Sequence, residues 1–125
     1  MVDTISDKEA ERWKSEGIRY ATNQKFEEAI PSLEKTVEYA SEFDNNSATK
    51  ERAARMLPQV YYAVGTQKFR DKNYEEAISI FNKAINHDAA YSKAYLGKGL
   101  AYAEMQNEKN MVENLEAAIK LAKAE

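Results

Sequence analysis

The repeat in this chain constrains its fold more than any other feature. An aromatic residue followed four positions later by glycine occurs three times: Trp13 with Gly17, Tyr61 with Gly65, and Tyr95 with Gly99. The second and third occurrences lie 34 residues apart, and the first and second lie 48 apart. Stations downstream keep the same phase, with Ala29, Ala77 and Met111 at one and Thr36, Ala84 and Ala118 at another. No single match is specific, but three in phase are.

The stretch from Asn73 to Ile85 shows what one unit contains. Ala77 and Phe81 are four residues apart and Ala84 and Ile85 follow one turn on, so small and large apolar residues alternate at helical spacing. The alanines let another helix approach closely, and the aromatic and branched side chains fill the space beside them. The stretch reads as the second helix of a helical hairpin whose first helix carries Tyr61, Val64 and Gly65.

A 34-residue period of this kind resembles the tetratricopeptide repeat, whose pattern W-x2-L-G-x2-Y…A-x3-F…P describes a helix-turn-helix unit. The first unit reads Trp13, Glu16, Gly17, Tyr20, Ala29, Leu33; the second reads Tyr61, Val64, Gly65, Lys68, Ala77, Phe81; the third reads Tyr95, Lys98, Gly99, Tyr102, Met111, Leu115. Lys68 departs from the aromatic, Glu16 and Lys98 from the leucine, and Met111 from the small residue, so the Met111 crossing is expected to be looser. The resemblance implies an all-α superhelix (solenoid) of three hairpins, about six helices. The repeats would span about 10–43, 58–91 and 92–125, with inserted turns at about 40–57. The insertion is the 14 residues by which the 48-residue spacing exceeds 34.

Composition agrees with a single soluble domain. The 125 residues are 43% hydrophobic and 31% charged, with two prolines and four glycines, which suits a helical chain with a real core. A net charge of −3 offers no basic footprint for nucleic acid or acidic membranes. No apolar run approaches the ~18 residues of a transmembrane helix, and no signal peptide is evident. The absence of cysteine excludes disulfides and thiolate metal sites and leaves cytoplasm and periplasm both open.

Along the chain, Met1 to Ile5 read as a lead-in and Ser6 with Glu9 as a capping box. The second helix starts near Phe26, carries Pro31 inside it and runs to about Phe43; Asp44-Asn45-Asn46 forms a loop. Ala53, Leu57, Val60/Tyr61 and Val64 hold one apolar stripe across Pro58. That stripe favours one long helix kinked at Pro58 over a new helix starting there, where proline would also be welcome. Asp71-Lys72-Asn73 and Gln106-Asn107 are turns, and His87-Asp88-Ala89-Ala90 is a connection. A repeat array normally closes with a polar cap, so the outer face of the third unit is expected either to be polar enough, helped by Glu113, Glu116, Lys120 and Lys123, or to be covered by a partner, a second copy or a continuation of the chain.

Catalysis has little to work with. His87 is the only histidine and falls in a connection. Glu27-Glu28 and Glu75-Glu76 recur at one station and point about 100° apart, as first-turn residues that complement a helix dipole. No phosphate loop, nucleophile elbow or metal spacing is present, so neither enzyme activity nor a cofactor is expected.

The resemblance implies that the first helices of successive units line a concave groove. Its stations are Lys14, Ile18 and Ala21; Tyr62, Ala63, Thr66 and Phe69; and Lys93, Leu96, Gly97 and Leu100. Ile18, Phe69 and Leu100 are apolar where a solvated face would be polar. Either the chain's own inserted turns or tail cover them, or they form a slot for a partner's helix or peptide, or they line a small-molecule pocket. The function expected is a non-catalytic scaffold that binds a partner protein or peptide. The alternatives are a self-associating homodimer through the uncapped last helix, and a regulatory fragment of a larger enzyme or co-chaperone.

Some tetratricopeptide domains, including those of immunophilin co-chaperones with similarly lengthened helices, hold acidic chaperone tails in a five-residue carboxylate clamp. Lys14 and Lys93 match that clamp, but Ile18, Ala63 and Gly97 replace its other three groups. Each lost hydrogen bond at a charge-reading site costs about 1.5–3 kcal/mol. A peptide ending in an acidic tail should therefore not bind at micromolar concentration in calorimetry. The repeat register is tested separately by urea titration: Ala77→Leu should overfill a helix crossing and cost roughly 1–3 kcal/mol, while Glu76→Leu should do little. Equal effects would overturn the register.

Overall fold

Every element is a helix in the computed structural model, which describes residues 7–22, 25–40 and 47–124. In chain order these are α1 (Asp7–Thr22), α2 (Phe26–Ala40), α3 (Ser47–Arg70), α4 (Tyr74–His87), α5 (Ser92–Glu104) and α6 (Glu108–Ala124). No strand occurs among the described residues. The all-α helical repeat read from the spacing is the fold observed. The lead-in, the Ser6 cap, Asn23 and Gln24 of the turn expected at Asn23-Gln24-Lys25, Phe43 and the Asp44–Asn46 loop lie outside the described residues.

The chain divides into two compact units, Met1–Val60 and Tyr61–Glu125, with the boundary inside α3. In the first unit α1 packs on α2 through Gly17, where an added methyl would lie 2.6 Å from Cδ2 of Leu33. Ala29, Leu33 and Thr36 of α2 are buried, as are Ala53 and Leu57 of α3. Thr36 is the polar exception, and its hydroxyl donates to the Ser32 carbonyl at 2.8 Å, which removes the penalty of an unpaired buried donor. Lys35 Nζ sits 5.8 Å from the centre of the Trp13 ring.

Pro58 does not interrupt α3. The helix runs 24 residues with Pro58 inside it, and the proline is itself buried. A proline at such a position removes one backbone donor and crowds the preceding turn. Burial of the stripe through Ala53, Leu57, Val60, Tyr61 and Val64 offsets that penalty. Pro31 likewise lies inside α2.

In the second unit Phe81 is the organising side chain. It projects from α4, is 1% exposed, and lies against glycines on both neighbouring helices. A methyl on Gly65 of α3 would come within 2.5 Å of its ring, and one on Gly97 of α5 within 2.6 Å. One repeat later the crossing recurs with Gly99 against Leu115, again at 2.6 Å. Ala77, Ala84, Ala94, Ala101 and Ala118 are also buried.

The turns recur as well. After α3, Lys72 N–H donates to Phe69 O at 3.0 Å and Asn73 N–H to Lys68 O at 2.9 Å. After α5, Gln106 N–H donates to Ala103 O at 3.0 Å and Asn107 N–H to Tyr102 O at 2.9 Å. This is the Schellman pattern, in which a left-handed residue closes the helix; Lys72 and Gln106 fill it with φ of 65° and 60°. Asn107 then caps α6, its Oδ1 accepting from Asn110 N–H at 3.3 Å. His87, expected in the connection, is instead the last residue of α4, its ring 5.5 Å from that of Tyr61.

The two glycine crossings differ in what can yield. Alanine gains about 1 kcal/mol over glycine in helix propensity, whereas overpacking costs roughly 1–3 kcal/mol. Against the rigid, enclosed Phe81 ring, Gly65→Ala should be net destabilising. Against Leu115, which is half-buried and can shift its side chain but not its backbone N, 3.3 Å from the added methyl, Gly99→Ala should destabilise less. Urea unfolding of both variants checks the order.

Candidate functional site

The second unit carries an apolar hollow of about 240 Å³ between α3 and α5. Tyr62, Thr66, Phe69 and Arg70 of α3 form one wall, and Leu96, Gly97 and Leu100 of α5 form the other. Phe81 reaches in from α4. The opening exists because Gly97 carries no side chain over that ring. Leu96 and Leu100 are 43% and 45% exposed, unusual for two leucines one turn apart on a helix face.

Aromatic contacts hold the α3 wall in place. The Tyr62 ring is 5.9 Å from Phe81 and 6.1 Å, edge-on, from Tyr91. Phe69 meets Tyr74 edge-on at 5.4 Å. The Thr66 hydroxyl donates to the Tyr62 carbonyl at 2.8 Å, so its hydrogen is engaged within α3. Burial, reinforced by Tyr62 and the Asp88 carboxylate, holds the Tyr91 hydroxyl above the usual phenol range. It stays a neutral donor at physiological pH. Burial also pushes the Lys98 ammonium below its usual range, and its Nζ lies 6.0 Å from the centre of the Tyr95 ring.

Of the residues singled out by repeat position, Tyr62, Thr66, Phe69, Leu96, Gly97 and Leu100 come together at this hollow. Lys93 does not line it. It lines a second hollow of about 300 Å³ between α5 and α6, with Ser92, Leu96, Leu115, Ala118, Ile119 and Ala122. Lys14 and Ile18 lie half-buried on α1 in the first unit, at the stations corresponding to Tyr62 and Thr66. Arg70, Phe81 and the α6 side of the second hollow were not legible as site residues. Phe81 read as packing, which it also is, and Arg70 stands one residue beyond the last station considered.

Comparison with known proteins bears on this arrangement. The family model described as tetratricopeptide repeat matches residues 58–91 and 92–125, more than half of the chain. The chain belongs to the tetratricopeptide repeat family. Such repeats are protein–protein interaction modules, and the proteins that carry them are generally non-catalytic scaffolds. The chain is 29% identical over 96 residues to FK506-binding protein 5 of Rhizopus delemar, an alignment covering 76% of this chain and 25% of that protein. It thus spans about a quarter of that curated relative's length. Among solved structures, MamA MSR-1 C2 has the same fold, with a TM-score of 0.52, 16% identity, and coverage of 94% of this chain and 99% of that one. Among the described residues no helix is long and apolar enough to cross a membrane.

Proposed function

We propose that this tetratricopeptide repeat domain is a scaffold that binds a partner helix or peptide through the α3/α5 hollow, with Tyr62, Thr66, Phe69, Leu96 and Leu100 as contact residues. Lys14 and Ile18 hold the corresponding stations of the first unit, and Lys93 contributes from the α5/α6 side. The observation that carries the reading is the pair of exposed leucines, Leu96 and Leu100, over an apolar hollow floored by Phe81. At about 240 Å³ the hollow falls below the ~300–1,000 Å³ typical of small-molecule pockets. It suits a large apolar side chain presented by a partner.

A second reading is self-association through α6, favoured by Val112 at 40% and Ile119 at 56% exposure. Concentration-dependent light scattering separates the two, because a groove binder stays monomeric at micromolar concentration. A third reading makes the chain a regulatory part of a larger protein, in line with the quarter of the fungal relative that it spans.

The test is a pull-down from lysate of the source cells, run beside a Leu96→Gln, Leu100→Gln double variant. Glutamine keeps helix propensity and adds no charge, so the variant should fold, which circular dichroism checks. Fully burying each leucine is worth about 1.5–3 kcal/mol, so a groove-bound partner should be lost by roughly tenfold or more. A partner retained by both proteins would move the site elsewhere.

A further inference from the structure

The charges around the α3/α5 and α5/α6 hollows of the second unit are one-sided. The chain as a whole is acidic, with 21 Asp and Glu against 18 Lys and Arg. Yet the α3/α5 hollow is edged by Arg70 and the α5/α6 hollow by Lys93, and no carboxylate lines either one among the described residues. Composition alone would put acidic groups there at least as often as basic ones. The turn-end hollows of the same unit do carry them, at Glu75, Glu76 and Glu108.

Neither cation is neutralised from within. Among the described residues Arg70 and Lys93 take part in no ion pair, whereas Lys68 pairs with Glu76 at 3.6 Å. Arg70 closes α3, where the helix dipole favours a cation. Lys93 is the reverse case. It is the second residue of α5, which has no acidic residue in its first turn, so its charge adds to the positive end of the dipole. A carboxylate arriving at that end would complement both the lysine and the dipole.

The hollows also adjoin. Leu96 borders both and forms the ridge between them. Beyond it the apolar surface continues to Ile119 on α6, 56% exposed.

We infer that the two hollows are one bipartite seat for an acidic amphipathic segment of a partner protein, with an apolar side chain on either side of Leu96 and carboxylates reaching Arg70 and Lys93. This rests on the docking reading of the α3/α5 hollow and extends it past the groove onto α6. It differs from a carboxylate clamp in requiring apolar anchors and internal acidic side chains, with no free terminal carboxylate. Complementary charge at such a rim acts mainly on partner choice and association rate.

The experiment pans a random displayed peptide library against the full chain and sequences the retained peptides. Those peptides should carry Asp or Glu flanking paired apolar residues. Each exposed ion pair is worth about a 1.5- to 5-fold change in affinity, and binding should weaken as salt rises. Panning on the Arg70→Glu, Lys93→Glu variant should replace the acidic flanks by basic ones. Leu96→Gln and Ile119→Gln should each release the retained peptides. Peptides released by Leu96→Gln but showing no acidic bias would overturn the inference and leave the docking reading standing. The same holds for peptides indifferent to Ile119→Gln. Peptides indifferent to Leu96→Gln, or no retained peptides at all, would overturn both.

Discussion

The structure depends on one recurring contact: a helical glycine facing a large apolar side chain on the next helix. Gly17 faces Leu33, Gly65 faces Phe81, and Gly99 faces Leu115, each at a distance that leaves no room for even a methyl. Because a helix cylinder with side chains is about 10–12 Å across, removing the side chain at the crossing lets the backbone approach the partner's ring or branched end directly. The alanines at 77, 84, 94, 101 and 118 are buried as well; small side chains of this kind let helices approach closely. Protein interiors are packed too densely for such a contact to be approximate. This is why the stations keep their phase while the exposed positions between them vary.

The same contact creates the candidate site. Phe81 serves two glycines at once, Gly65 on α3 and Gly97 on α5. Its ring is therefore wedged between two first helices and floors the hollow that they border. A side chain at Gly97 would fill the opening. The packing that stabilises the hairpins and the concavity that offers a partner an anchor point thus have one origin. The exposed leucines at 96 and 100 are the rim of a packed core rather than isolated surface residues.

The tetratricopeptide register made much of this legible in advance. The resemblance to that repeat implied one surface for Tyr62, Thr66, Phe69, Leu96 and Leu100, because first helices of stacked hairpins line the same groove. The apolar stripe across Pro58 likewise identified α3 as one helix against proline's usual preference. Lys93 was assigned by the same rule, but it sits near the start of α5, one turn before Leu96. There the neighbouring wall is α6, and its side chain borders the second hollow. Arg70 and the α6 wall were missed because no station of the repeat marks them. They matter only through which helix lies beside them.

From the sequence by itself came the helix-hairpin fold, the family resemblance and the crossing stations, since each follows from periodicity or from which residue types are present. Only the tertiary structure decided that Phe81 floors a hollow, that Leu96 stands between two hollows, and that Arg70 and Lys93 edge them with no carboxylate alongside among the described residues. Those facts depend on distances between residues far apart in the chain. Local spacing carries which face of a helix a side chain occupies. It carries nothing about which atoms of another helix lie opposite.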